Sequence, residues 1–468
     1  MNQEPMHQNS APDDPTVADT AAVEGERVDA EQAPARHTAD QQTEQAPPAE
    51  PPKKKRGFFP IPAAITLFLL VGISVFLVIL FSVSSPKKGE VDLPLFNGGL
   101  LPVAVHNDNG DLRWGYVDPN GTFQIKAKYL TAYEFAENGL AAVEISSKKW
   151  GYIDREGTLV IPAEFEEAAS FDDSGFAAVK SNGSWGYINK KGDMVINPQF
   201  DFARPFAEEG LALVQIGGKY GYINTRGIYV IDPRFDAAVD FDHNGFAAVY
   251  AFGKWGLINQ KGEWEVNPQF DLIEPFTDNG LALVAKDGKY GFIDREGIYV
   301  VTPTYDYAES FAQDLALVKL KDKYGFINKK GDVKVDLKFD KALSFAENGL
   351  AAVCSDAEKE AWGYIDKSGT FVIEPSFKQA GTFMNGYAAV ELETVGTESV
   401  YAYIDKTGTP VIEPELESIL LLTPFFKDGY ALALVETDNN EHLYYIIGKE
   451  GLSSESSFAD VLPFSVLP

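Results

Sequence analysis

The nine residues Lys149-Trp150-Gly151-Tyr152-Ile153-Asp154-Arg155-Glu156-Gly157 constrain this chain more than any other stretch, because most of the sequence is copies of them. The aromatic-glycine pair recurs at Trp114-Gly115, Trp150-Gly151, Trp185-Gly186, Tyr220-Gly221, Trp255-Gly256, Tyr290-Gly291, Tyr324-Gly325 and Trp362-Gly363, at steps of 36, 35, 35, 35, 35, 34 and 38 residues. A ninth, eroded copy has Tyr401-Ala402, and Tyr444-Tyr445 extends the series to a tenth. A fixed period of this size is the signature of a repeat architecture. A unit so short cannot bury a core of its own, so neighbouring units must cover each other's apolar faces.

Each unit reads as β-structure. In the third copy Gly175-Phe176-Ala177-Ala178-Val179 is a short apolar run, Ser181-Asn182-Gly183 turns the chain, and Ser184 to Asn189 makes a second run. Asn189-Lys190-Lys191-Gly192 turns it again before Asp193-Met194-Val195-Ile196. Short aromatic and β-branched runs separated by Asn/Gly turns predict antiparallel hairpins, about three strands per unit. No window has the apolar spacing of a long amphipathic helix. The Asp or Asn opening the four-residue turn suits capping of local N–H groups, and the closing glycine suits a positive φ. Proline at Pro198, Pro233, Pro268, Pro303, Pro375 and Pro414 is expected to end the third strand. The Trp/Tyr slot is expected to be core, stacked on its equivalents in adjacent units.

The pattern [Lys/Ser]-[Trp/Tyr]-Gly-[Tyr/Phe]-Ile-[Asp/Asn]-x-x-Gly, followed by Pro-x-Phe-[Asp/Glu] and Gly-[Leu/Phe]-Ala-x-Val, resembles the bacterial WG-repeat family over residues 100–451. The resemblance implies a β-rich interaction scaffold and no reaction. Departures such as Ala402 for glycine and Leu337 for proline fall in the last copies. With the uneven final steps they favour an open superhelical stack of eight to ten units over a closed propeller-like ring.

The flanks differ in kind. Residues 1–52 carry eleven acids against Arg27 and Arg36 and contain no aromatic residue, a composition that predicts disorder. Lys53-Lys54-Lys55-Arg56 closes this tail (residues 1–56). The uncharged run 57–86 is long and apolar enough for a single transmembrane helix. Four basic residues before it against Lys87 and Lys88 after it place the amino terminus in the cytoplasm and the repeats outside the cell membrane. Residues 87–99 form a linker and 452–468 a carboxyl-terminal tail.

A formal charge of -29 leaves no basic stripe for nucleic acid. A single cysteine, Cys354, allows no intramolecular disulfide. His7, His37, His106, His243 and His442 form no pair at ligand spacing, and no nucleophile elbow or phosphate-binding loop appears, so no catalytic residue, metal site or cofactor is expected. The loops Asp172-Asp173-Ser174-Gly175, Asp242-His243-Asn244-Gly245, Asp278-Asn279-Gly280 and Glu347-Asn348-Gly349 cluster oxygen donors, which raises calcium binding. They lack EF-hand spacing, and turns demand the same residues. Rows of Trp and Tyr raise a second alternative, a cell-wall or glycan-binding module. The variable segments Ser146-Ser147-Lys148 and Ile216-Gly217-Gly218 are better placed for recognition, since loops carry function on repeat scaffolds. The leading expectation is a membrane-anchored, extracytoplasmic scaffold for protein–protein interaction.

Overall fold

The computed structural model describes residues 94–461, apart from 208, 396–397 and 454–455. These residues form ten four-stranded antiparallel sheets arranged as the blades of a β-propeller. Blade 3 shows the plan: a two-residue strand Glu167–Ala168, then Phe176–Ser181, Ser184–Asn189 and Met194–Phe200, paired in that order. Each unit therefore has four strands and not three. The extra strand is too short to leave an alternating apolar pattern. After Phe200 a single residue, Asp201, leads into the first strand of blade 4, Phe202–Phe206.

The ring is closed, which corrects the expected open stack. Asp460–Val461 pairs with Leu101–His106 and supplies the fourth strand of blade 1, aligning Val103 with Val461 and Ala104 with Asp460. Around this seam Leu95, Phe96, Leu101 and Val103 share one apolar cluster with Leu432, Ile446, Phe458 and Val461. The Phe96 N–H donates to the Asp428 carboxylate at 2.8 Å, and the Ser453 hydroxyl donates to the Pro119 carbonyl at 2.7 Å. The closing strand lies beyond the last recognisable aromatic-glycine copy, although Phe458 and Val461 take the places that Phe200 and Ala203 hold between blades 3 and 4. No helix among the described residues is long and apolar enough to cross a membrane. The predicted transmembrane helix at 57–86 lies outside those residues, and the fold itself is β throughout save for one 3₁₀ turn at Asn97–Gly99.

The seams between successive blades bury corresponding sets of side chains. Between blades 3 and 4, Trp185, Tyr187, Ile196 and Phe200 of one meet Ala203, Phe206, Ala212, Val214 and Ile223 of the next. The expected stacking of slot on slot does not occur. Instead the aromatic two residues later reaches across: Tyr116–Phe135, Tyr152–Phe171, Tyr187–Phe206, Tyr222–Phe241, Phe292–Phe311, Phe326–Phe345, Tyr364–Phe383 and Tyr403–Phe425 have ring centroids 4.6–4.9 Å apart. Six of these residues are tyrosines whose hydroxyl donates to a backbone carbonyl in the next blade. Tyr152 reaches the Ala169 carbonyl at 2.8 Å and Tyr187 that of Arg204 at 2.7 Å. Burial lifts the Tyr152 phenol well above its ordinary range, so it stays a donor. Replacing Tyr152 with phenylalanine is expected to cost about 1 kcal/mol in urea unfolding by loss of that bond. A neutral result would show the bond to be idle.

The glycine after the slot is held by a close crossing. Opposite Gly186 the last strand of the blade carries a bulge, since Trp185 faces Phe200 while Tyr187 faces Ile196. A Cβ on Gly186 would lie 2.4 Å from the Ile196 carbonyl oxygen and 2.7 Å from the Pro198 nitrogen. Pro198 therefore sits inside this strand, at the bulge where its missing N–H is not needed, and does not terminate it. Pro162, Pro233, Pro268, Pro303 and Pro375 are placed likewise.

Candidate functional site

The slot residues divide the ring into two arcs. Trp114, Trp150 and Trp185 in blades 1–3 are buried. Trp150 lies against the Tyr133 ring at 5.1 Å. From blade 4 onward Tyr220, Trp255, Tyr290, Tyr324 and Trp362 are only half-buried. The paired glycines Gly115, Gly151, Gly186, Gly221, Gly256, Gly291, Gly325 and Gly363 all lie under the bulged strand, so their role is structural.

In blades 4–7 each half-exposed aromatic follows a lysine with a fixed partner. Lys219, Lys254, Lys289 and Lys323 form ion pairs with Asp236, Asp271, Asp306 and Asp340, the single residues that link one blade to the next. The second oxygen of the linking aspartate turns to the next hairpin. Asp271 accepts the Asp287 N–H at 2.7 Å, Asp306 the Lys321 N–H at 2.8 Å and Asp340 the Ala357 N–H at 3.1 Å. One carboxylate thus staples two neighbouring hairpins. The lysine hydrogen bond holds Asp271, Asp306 and Asp340 below the usual carboxylate range. What the pairs contribute to stability is present above that range and is lost as pH falls through these lowered values. Being exposed, the pairs add little to stability and more to the fixed geometry of this edge.

The hairpins themselves are two-residue turns with both central residues at positive φ, as at Asn182-Gly183 (52° and 79°) and Asp287-Gly288 (52° and 73°). Blade 5 breaks the pattern. Phe252 holds the first position at φ 55° with 90 % of its surface exposed. Ile216, on the hairpin of blade 4, is 39 % exposed. Of the two segments singled out in the sequence, Ile216-Gly217-Gly218 lies on this arc and Ser146-Ser147-Lys148 on the other.

A second polar set joins one position of a blade to the adjacent position of the next. Arg204 pairs with Asp240 at 2.7 Å, the Ser310 hydroxyl donates to Glu274 at 2.8 Å and the Ser344 hydroxyl to Glu309 at 2.6 Å. Glu134 begins this series, and one of its oxygens is buried with no partner. Burial raises its carboxyl to about 8. Its folded value thus exceeds its unfolded one, so it opposes folding increasingly as pH rises from about 4.5 to about 8. Glu134→Gln is therefore expected to gain stability relative to the parent between about pH 5 and about pH 8.5, read from urea midpoints at both. A gap that stays constant would contradict the buried carboxyl.

The acidic loops serve the turns. Asp172 accepts the Phe176 N–H at 3.1 Å, the Ser174 hydroxyl at 2.5 Å and the Phe206 N–H of the next blade at 2.8 Å. Among the described residues no group of three or more His, Cys, Asp or Glu side chains is placed to hold a metal ion. His106, His243 and His442 stand on separate blades: His106 and His442 lie beside the local partners Gly110 and Glu436, and His243 beside Asp278 of the next blade.

A family model described as "WG containing repeat" matches nine segments: 114–148, 150–185, 185–220, 220–251, 255–290, 290–324, 324–357, 362–393 and 401–440. The chain belongs to the WG-repeat family. Its nine matched copies run from the third strand of one blade into the second strand of the next, so each WG repeat spans a seam. No curated protein matches the chain. Similar solved structures include a eukaryotic initiation factor, 12% identical with a TM-score of 0.43 over 77% of this chain and 97% of that one. Another is BamB from Moraxella catarrhalis, 13% identical with a TM-score of 0.31 over 58% and 91%. Hsv2 from Kluyvelomyces marxianus is 8% identical with a TM-score of 0.31 over 52% and 94%.

Proposed function

We propose that this WG-repeat ring is a non-catalytic protein-interaction scaffold whose partner docks on the hairpin edge of blades 4–7. The observation that carries this reading is the change along the ring from buried slot residues to half-exposed ones, each beside a stapled lysine–aspartate pair. Half-exposed aromatics on a rigid, preorganised edge are what protein interfaces use as anchors. The strongly acidic chain favours partners with basic groups around that contact. A photo-crosslinking residue at position 290 is expected to give a discrete adduct with a different protein in cells, lost on Trp255→Ala, whereas the same residue at 182 gives none. Equal labelling from both arcs would sink the proposal. An adduct with wall material in place of protein would favour glycan recognition.

We further place the ring outside the cytoplasm. The support is the excess of basic residues, Lys53 to Arg56, on one side of the apolar stretch 57–86. External protease on intact cells should then digest a carboxyl-terminal tag and spare an amino-terminal one. The reverse result would move the search to cytoplasmic partners.

A further inference from the structure

Two features of this ring break the rules that its own repeats set. The first is Phe252. Equivalent hairpin positions hold Asn182, Gly217, Asp287 and Lys321, small or polar residues suited to a left-handed turn. A phenylalanine there is strained and, at 90 % exposure, packs against nothing. Local conformation and solvation both oppose it, and no contact among the described residues compensates. Departures of this kind are expected at functional positions.

The second lies in the seam between blades 1 and 2. Residues equivalent to Tyr129 are Phe165, Phe200, Phe235, Phe270, Phe339 and Phe377, with Tyr305 the other exception. The seam needs only the ring, yet Tyr129 is 3 % exposed and its hydroxyl is buried without a partner among the described residues. Beside it the ladder of blade 2 slips between Glu144 and Ser146, leaving Ile145 unpaired and 42 % exposed. Tyr129, Ile145, Ile153 and Leu159 line a cavity of about 340 Å³ with Lys128 at its side. The Lys128 ammonium sits 5.0 Å from the Tyr129 ring centre.

We propose that the chain associates with itself head to tail, Phe252 of one copy entering this seam cavity of another. The fit is chemical as well as steric. The cavity's volume exceeds that of a phenyl ring, the aliphatic side chains of Ile145, Ile153 and Leu159 suit one, and the lysine beside it adds a cation–π partner. The hairpin ladder ends at the Ala251–Lys254 pair, so the carbonyls of Phe252 and Gly253 take no part in it. They remain free to meet polar groups at the rim of the socket. Knob and socket lie on different blades, so the contact is heterologous: each copy offers one of each, and assembly proceeds to a ring or a filament. The inference goes beyond the scaffold reading, which concerns a different protein on the same edge and stands or falls by its own crosslinks.

Sedimentation velocity of the full chain over a range of concentrations tests it. The parent is expected to sediment faster as concentration rises. Phe252→Ser, which removes the knob, and Leu159→Glu, which closes the socket, should each raise the apparent dissociation constant at least about tenfold. Both positions are exposed, and an unchanged near-ultraviolet circular dichroism spectrum confirms that the ring persists. An equimolar mixture of the two variants retains one intact knob and one intact socket, so it should form dimers and nothing larger. A parent that stays monomeric, a Phe252→Ser variant that associates as well as the parent, or a mixture without dimers would each overturn the proposal.

Discussion

Phe458→Ala is expected to destabilise the ring by about 3–5 kcal/mol, the usual cost of emptying a phenylalanine site in a packed core. Phe458 is 1 % exposed and meets the Phe123 ring edge-on at 6.3 Å across the closing seam. Its backbone also pairs with Tyr444, which ties the last segment to blade 10 before it reaches blade 1. The loss should appear as a lower urea midpoint. It should also broaden the transition, because opening this one seam turns a ring into a linear array whose blades unfold less cooperatively. A change below about 1 kcal/mol would mean that the ring does not depend on this seam in solution, since a buried aromatic cannot be removed from a formed seam so cheaply.

Gly221→Ala is expected to cost about 3 kcal/mol or more, at the upper end of overpacking effects. The added Cβ would stand 2.5 Å from the Ile231 carbonyl oxygen and 2.6 Å from the Pro233 nitrogen, and backbone atoms cannot swing aside as a side chain would. Gly183→Ala is the control. Its Cβ meets nothing within 4 Å, and only its φ of +79° is unfavourable, a penalty of about 1–2 kcal/mol. If the two variants unfolded at the same urea concentration, the close crossing would be refuted. The protein contains its own version of this substitution at Ala402. In blade 9 the last strand is only Pro410–Ile412, and no pairing continues past Tyr403–Ile412, so no bulge overlies Ala402. The glycine was lost where the strand that required it is short.

That correlation marks where sequence reading succeeds and where it stops. The period, the hairpins and the four-residue turns were legible because each rests on local chemistry. Asp118, for instance, accepts the N–H groups of Asn120 and Thr122, and Gly121 closes the turn at φ 71°. The conspicuous Trp-Gly pair drew attention to the slot. In eight of the ten seams the deepest aromatic is two residues on, at Tyr116, Tyr152 and their equivalents, and its partner lies further along the chain, in the next blade. Its signal was present as a column of Tyr and Phe, and only the fold says which neighbour that column faces. The two-residue strands are below the length at which alternation can be read. Closure depends on Phe458 and Val461, which take the places of Phe200 and Ala203, but the motif around them is eroded: Ala459 stands where most units have Asp or Glu, and Tyr444-Tyr445 replaces the aromatic-glycine pair. The division into two arcs was invisible for another reason: Trp185 and Trp255 occupy the same motif, and what differs is the cross-strand neighbour, Lys180 over the Trp185 ring and Tyr250 beside Trp255.

Both ends of the described chain leave from the same blade. Pro94 precedes the packed pair Leu95-Phe96, and Val461 ends the strand that lies beside Leu101–His106. Suppose the segment before Pro94 is held fast while a bound partner tugs on blades 4–7. The load then enters the ring at its closing seam, where only two residue pairs, Val103–Val461 and Ala104–Asp460, join the sheet. Elsewhere neighbouring blades are continuous through the chain and would resist as covalent links. Under tension the protein would behave as a clasp, opening at one predetermined joint while the other seams hold.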